Sequence, residues 1–178
     1  MDDPVSDPGL RGQIAALVPD LRGFARFLVR DRAMADDLVQ DVLVRALSAL
    51  HQFEPGTNLK AWLFTILRNA FYEGARRRQR EATALARQSA RDEAAAPVQD
   101  ARSELRDLQL LIWTLPPLLR EALILVGAQE MTYEEAASIC RVPVGTVKAR
   151  VSRGRAALAA AIRRAEEGDV GGHEPSDT

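Results

Sequence analysis

The sequence predicts an all-α chain folded as two small helical domains on a flexible tether, and three observations lead there. Apolar residues recur at three- and four-residue steps over most of the 178 residues. β-branched runs are scarce, and glycine and proline fall mostly between the periodic segments. The periodicity fails in one internal stretch, 81–102, where eight alanines from Ala82 to Ala101 leave Leu85 and Val98 as the only larger aliphatics. Alanine carries a helix locally but offers too little apolar bulk to bury, so 81–102 reads as a linker, partly helical at its start. The predicted organisation is a disordered 1–9, a first domain over 10–80, the linker, a second domain over 103–165, and a disordered acidic tail over 166–178.

In the first domain, Ile14, Leu17, Val18, Leu21, Phe24, Ala25 and Leu28 give an amphipathic run from Leu10 to Arg30. Pro19 inside it predicts a break or two helical pieces. After Asp31-Arg32, a helix over Ala33–Leu50 buries Ala35, Leu38, Val39, Val42, Leu43 and Ala46. Its opposite face holds Asp37, Gln40, Asp41, Val44 and Ser48, with Asp36 at the edge. Such a face is more often plain solvation; a docking surface is the sharper reading, because Val44 lies exposed among the acids. A metal site is disfavoured, because no histidine or third carboxylate faces the pair.

Glu54-Pro55-Gly56-Thr57 is a turn. From Leu59, the residues Leu59, Trp62, Leu63, Ile66, Leu67 and Ala70 form one buried face. Lys60, Phe64, Arg68, Phe71, Tyr72 and Arg76 are assigned to the other side. Between Asn58 and Arg80 there are six bases and one acid, Glu73. Aromatics alternating with bases could hold single-stranded nucleic acid, although an aromatic stripe at helical spacing is more often core.

The second domain begins near Ser103 with Leu105, Leu108, Leu111, Ile112 and Leu115, ended by Pro116-Pro117. The next helix carries Leu118, Leu119, Ala122, Leu123 and Val126 inward and stops at Gly127. Thr132 with Glu135 is a capping box opening a two-turn helix, Tyr133–Cys140. Arg141-Val142-Pro143 turns the chain into a longer helix, Val144 to Ala165, with Val147, Val151, Gly154 and Leu158 inward. A short helix, a three-residue turn and a basic helix is the helix-turn-helix signature. From Val144 to Arg164 there are six bases and no acids. Gly145, Ala149, Ser152 and Ala156 make a small-residue row that lets the backbone approach base edges. Lys148 and Arg153 flank the row as base readers, Thr146 can reach a phosphate, and Arg150 and Arg155 point sideways to phosphates.

Composition bounds the rest. A net charge of -1 averages over opposed blocks, and the single cysteine, Cys140, excludes an internal disulfide and fits a reducing cytosol. The acidic start is no signal peptide, and no window reaches the ~20 apolar residues of a membrane span. His51 and His173 are isolated, and no nucleotide loop, nucleophile–base pairing or zinc spacing is present. The expectation is a cytoplasmic chain that is not an enzyme and needs no cofactor.

Together these pieces resemble a bacterial sigma factor of the extracytoplasmic-function (ECF) type over residues 10–165. Ala35-Asp36-Asp37-Leu38-Val39-Gln40-Asp41 resembles the polymerase-binding helix of region two, and Ala61-Trp62-Leu63 with Ile66 and Arg68-Asn69 the promoter-melting helix. Tyr133-Glu134-Glu135-Ala136-Ala137 and Val144-Gly145-Thr146-Val147-Lys148-Ala149-Arg150-Val151 resemble region four. Narrower strings, including Pro55-Gly56-Thr57-Asn58-Leu59 and Arg120-Glu121-Ala122-Leu123-Ile124-Leu125-Val126-Gly127-Ala128, are similar to the alphaproteobacterial general-stress-response branch. Ala149 departs from it, standing where a serine is common, and so does Gly74, where the branch has a longer polar residue.

The resemblance implies that Asp36, Asp37, Gln40, Asp41 and Val44 dock on the clamp helix of the largest subunit of core RNA polymerase, whose flap is a further contact. Asn58 and Lys60, with the turn before them, would capture a base flipped from the minus-10 element. Phe64, Arg68, Tyr72, Arg76, Arg77 and Arg78 would complete that surface. Gly145, Thr146, Lys148, Ala149, Arg150, Ser152, Arg153 and Arg155 would read the minus-35 element of promoter DNA. It also implies sequestration by a small anti-sigma protein, no membrane partner, and a monomer when free. The alternatives are a simple helix-turn-helix regulator and a sigma mimic that binds the anti-sigma protein without DNA.

Overall fold

A computed structural model describes residues 8–86 and 104–170. In order the helices are α1 (Pro8–Ala16), α2 (Val18–Leu28), α3 (Arg32–Ser48), a 3-10 turn (Leu50–Gln52), α4 (Leu59–Ala86), α5 (Glu104–Trp113), α6 (Pro117–Leu123), a π-helical turn (Ile124–Ala128), α7 (Tyr133–Cys140) and α8 (Val144–Val170). No strand occurs among the described residues. Two compact units result, the first holding α1–α4 and the second α5, α6, α8 and most of α7.

The first unit is organised by three helices that share one core. The predicted interruption falls at Leu17, and Pro19 sits in the first turn of α2, where its missing N–H costs nothing. Leu21, Phe24 and Leu28 from α2 are buried with Ala35, Val39, Val42 and Ala46 from α3. Leu50, Leu59, Leu63, Phe64, Leu67 and Ala70 complete the buried set. Leu38 and Leu43, expected inside, are half-buried. Asp31 starts α3 by accepting the Met34 N–H on its carboxylate at 2.8 Å, which satisfies one orphan donor of the first turn.

In the second unit α6 packs on α8 at a close crossing. A Cβ placed on Gly154 would sit 3.3 Å from the Leu119 carbonyl oxygen, so the glycine is what allows that approach. Leu118 is 44% exposed, contrary to its predicted inward position, and Leu108 also faces solvent. The inward positions of α6 include Arg120 and Glu121 instead, both buried. Arg120 lies 3.9 Å from the Trp113 ring centroid and donates to the Trp113 carbonyl at 3.3 Å. That cation–π contact and hydrogen bond are what a periodicity argument, which assigns charge outward, has no means to see.

Both long helices run past the domain bounds expected for them. α4 continues through Ala86, in keeping with a linker that is helical at its start; residues 87–102 lie outside the described residues. α8 continues to Val170, so the first five residues of the expected disordered tail are helical. No proline occurs between Val144 and Val170, and the two glutamates after Ala165 favour the helix. The remainder of that tail, and the expected disordered start before Pro8, lie outside the described residues.

Candidate docking and nucleic-acid surfaces

The outward face of α3 carries Asp37, Gln40 and Asp41 exposed, with Val44 64% exposed about one turn beyond Asp41 and Asp36 half-buried. Met34 and Leu47, 42% and 41% exposed, extend this apolar strip. Sequence reasoning missed both, although Leu47 stands three residues from Val44, a spacing that makes the two neighbours on the helix surface. Ion pairs fix the acids: Asp36 is 3.5 Å from Arg22 of α2, and Asp41 is 3.0 Å from the Nε of Arg45. The Nη1 of the same guanidinium donates to Glu73 of α4 at 2.7 Å. Hydrogen bonds to Glu73 first, and to Asp41 second, raise the Arg45 pKa above its already high ordinary value.

The turn leading into α4 is built by its own polar groups. Gly56 adopts φ +88°, a left-handed conformation that side chains resist. The Thr57 hydroxyl donates to the Glu54 carbonyl at 2.7 Å, and the Asn58 side-chain oxygen accepts the Ala61 N–H at 3.1 Å. Asn58 is therefore the N-cap of α4 by geometry, a role the sequence reading did not give it. A surface hollow of about 360 Å³ opens beside the turn, lined by Leu10, Gln13, Leu50, Phe53, Gly56 and neighbouring residues.

Lys60 follows one helical step inside α4. Its ammonium is 3.0 Å from Asp20 of α2 and 5.7 Å from the centroid of the Phe64 ring. Phe64 corrects the predicted surface. It is fully buried, stacked on Phe24 at 5.0 Å with the rings 12° from parallel. α2 covers that side of α4, so a residue assigned outward by the wheel of one helix falls inside the core of three. Phe64 is withdrawn from the nucleic-acid surface. Trp62, expected inward, is half-buried against Phe53 at 5.4 Å. Tyr72 is half-buried, with the Arg68 guanidinium 4.6 Å from its centroid and the Phe71 ring edge-on at 5.0 Å. Arg76, Arg77 and Arg78 are exposed beyond them, with Arg77 3.7 Å from Glu81 one turn on.

In the second unit the capping box forms in both directions. The Glu135 carboxylate accepts the Thr132 N–H at 2.8 Å, and the Thr132 hydroxyl accepts the Glu135 N–H at 3.1 Å. α7 ends with Arg141 at φ +54°, while the Arg141 and Val142 N–H groups bond back to the Ser138 and Ala137 carbonyls. This is a Schellman arrangement, with arginine taking the left-handed position usually given to glycine. It reverses the chain within three residues, and Pro143 begins α8 by accepting from the Thr146 N–H at 2.9 Å.

On α8, Gly145, Lys148, Ala149, Ser152, Arg153, Arg155 and Ala156 are exposed and Thr146 is half-buried. Val147, Val151 and Gly154 are buried opposite, as the spacing predicted. Lys148 lies 5.6 Å from the Tyr133 ring centroid, and the Arg153 Nε donates to the Ala149 carbonyl at 3.3 Å. Arg150 is half-buried, and its Nη1 is enclosed with no hydrogen-bond partner. Its guanidinium is thus less open to a phosphate than the predicted sideways position implied.

Among the described residues no three His, Cys, Asp or Glu side chains stand close enough to hold a metal ion. No helix among them is long and apolar enough to cross a membrane.

Comparison with known proteins agrees with this division. Residues 14–81 match the sigma-70 region 2 family and residues 105–158 the sigma-70 region 4 family. An ECF RNA polymerase sigma factor EcfG of Rhodopseudomonas palustris is 45% identical over 175 residues, covering 98% of this chain and 94% of the relative. The sigma factor RpoE of Bartonella quintana, solved in complex with the anti-sigma factor NepR, superimposes with a TM-score of 0.74 at 41% identity. That superposition spans 86% of this chain and 96% of RpoE. The sigma factor-like fold also extends to CnrH, solved with the cytosolic domain of CnrY, at a TM-score of 0.66 and 25% identity over 90% of this chain and 93% of CnrH. An acidic-faced helix beside a basic helix, followed by a capped helix-turn-helix, follows the order of sigma-70 regions 2 and 4, and the chain belongs to the ECF RNA polymerase sigma factors of the alphaproteobacterial stress-response branch.

Proposed function

We propose that this sigma factor acts in the cytoplasm on general stress-response promoters, with its contacts divided among three surfaces. Asp36, Asp37, Gln40, Asp41 and Val44 of α3 dock on the clamp helix of core polymerase. Asn58, Lys60, Arg68, Tyr72 and Arg76–Arg78 engage the minus-10 element. Gly145, Thr146, Lys148, Ala149, Ser152, Arg153 and Arg155 of α8 engage the minus-35 element, with Arg150 at its margin. The observation that carries the reading is the pairing on adjacent helices of one unit. An exposed acidic strip, with Val44 about one turn beyond Asp41, lies on α3, and an exposed arginine run lies on α4. A plain helix-turn-helix regulator has no use for the first of these.

A small anti-sigma protein of the NepR kind is proposed to sequester the chain. The support is the 41% identity to RpoE of Bartonella quintana, whose structure was solved with NepR. The binding would hide the acidic strip and so compete with polymerase.

The decisive measurement is a pull-down of core polymerase together with run-off transcription from a cognate promoter. Reversing charge at both Asp37 and Asp41 should abolish the pull-down while leaving the isolated helix-turn-helix contact with minus-35 duplex unchanged. Polymerase binding that survives both reversals removes the docking assignment, and a chain that binds polymerase without yielding a specific transcript is a mimic. Duplex opening loses stacking of ~1.4 kcal/mol per step, whereas one captured base returns ~1–3 kcal/mol. The chain alone therefore cannot hold a transcription bubble, and a fluorescent base in the minus-10 element should respond only when core polymerase is present.

A further inference from the structure

The proposed minus-10 surface contains two kinds of cation in different electrostatic settings. The arginines Arg76, Arg77 and Arg78 project from an exposed stretch of α4. Lys60 does not. Its side chain is 25% exposed, and its ammonium sits 3.0 Å from Asp20 and 5.7 Å from the centroid of the Phe64 ring, itself stacked on Phe24. Asp20 comes from the first turn of α2, a helix that no sequence motif connects to promoter recognition.

We infer that Asp20 is a specificity-determining positioning residue, which holds the Lys60 ammonium for a neutral base edge and withholds it from the DNA phosphates. This rests on the proposed role of Lys60 in minus-10 recognition. A lysine ammonium without a counter-charge is a mobile point charge on a four-carbon stem, and it follows a phosphate wherever one passes. Such contacts add affinity that is independent of sequence and falls steeply with salt. A carboxylate at 3.0 Å changes both properties. It brings the local charge near zero, so a phosphate gains little by approaching and meets repulsion from Asp20 itself. It also takes one of the three N–H donors and fixes the direction of the ammonium, which favours an acceptor at a set position, such as a base carbonyl oxygen or ring nitrogen. With only 25% of the Lys60 side chain exposed, the ion pair is better ordered than a pair between two fully exposed chains.

The experiment uses the full chain bound to core polymerase on fork promoter DNA with a single-stranded minus-10 element. Affinity is measured from 50 to 200 mM salt on the cognate sequence and on one with the captured base changed. Asp20→Asn, isosteric but uncharged, should bind the changed sequence more tightly and lose about threefold of the cognate-over-changed ratio, the scale available from a pair of this exposure. Its affinity should also fall more steeply with salt, by about 0.7 in the log–log slope for one further phosphate contact on a single strand. Asp20→Glu should restore both, and Asp20→Asn combined with Lys60→Gln should behave as Lys60→Gln alone. Thermal unfolding of each variant separates these effects from loss of fold, because a merely structural Asp20 would not alter the salt slope. If Lys60→Gln lowers the ratio but Asp20→Asn leaves ratio and slope unchanged, Asp20 has no such role and Lys60 keeps its own. If Lys60→Gln itself leaves the ratio unchanged, the minus-10 assignment of Lys60 fails and the inference fails with it.

Discussion

Phe64→Ala distinguishes sharply between the two readings of the basic helix. A phenylalanine that stacks on a base is expendable for folding, whereas this one is fully buried and stacked at 5.0 Å on Phe24. Truncating a buried phenylalanine to alanine costs about 3–5 kcal/mol, from lost transfer energy and the cavity left behind. A unit of roughly 70 residues has about 4–10 kcal/mol of stability in total, so the variant should retain a fraction of it. With a urea dependence of about 1.5 kcal/mol per molar, the midpoint should fall by about 2–3 M. Trp62, half-buried against Phe53, reports this unit by fluorescence in a Trp113→Phe background. Phe64→Leu, which keeps most of the volume, should cost under about 1.5 kcal/mol and retain minus-10 binding. The core assignment is refuted if Phe64→Ala unfolds within about 1 kcal/mol of the parent and yet loses tenfold or more in affinity for minus-10 single strand.

Two further substitutions test the second unit. Gly154→Leu places three more carbons beyond a Cβ that would already lie 3.3 Å from the Leu119 carbonyl. It should destabilise the unit by about 1–3 kcal/mol, seen as a lower urea midpoint in Trp113 fluorescence, and an unchanged midpoint would mean the α6–α8 crossing has room to spare. Thr132→Ala removes the hydroxyl that accepts the Glu135 N–H at 3.1 Å and should cost about 1 kcal/mol, with Thr132→Ser restoring most of it; equal stability of the two variants would show the cap to be idle.

How much of this was legible beforehand depends on which interactions lie within one element. The capping box, the two-turn α7, the break near Pro19 and the inward Val147, Val151 and Gly154 are local or strictly periodic, and each was readable. The acidic face of α3 was readable for the same reason. Phe64 was not, because its burial comes from α2 folding over a side of α4 that its own periodicity leaves outward. Arg120 and Glu121 were missed for the converse reason, since charge reads as surface unless the partners are known. Asp20 gave no sign at all. Its significance depends on a lysine forty residues away in sequence, and only the packing of α2 on α4 brings the two within 3.0 Å.

The close crossing at Gly154 has a mechanical consequence for the proposed minus-35 face. It acts as a fulcrum, with ten residues of α8 before it forming a lever arm of about 15 Å that ends at Val144. A tilt of only 5° about that point would carry the tip by about 1.3 Å, on the same rise per residue. A base-edge hydrogen bond tolerates only a few tenths of an ångström around its preferred length. Thus a methyl-sized wedge under the helix, far from any base, would be amplified at Gly145 and Lys148 into misalignment larger than the proposed minus-35 contacts can absorb.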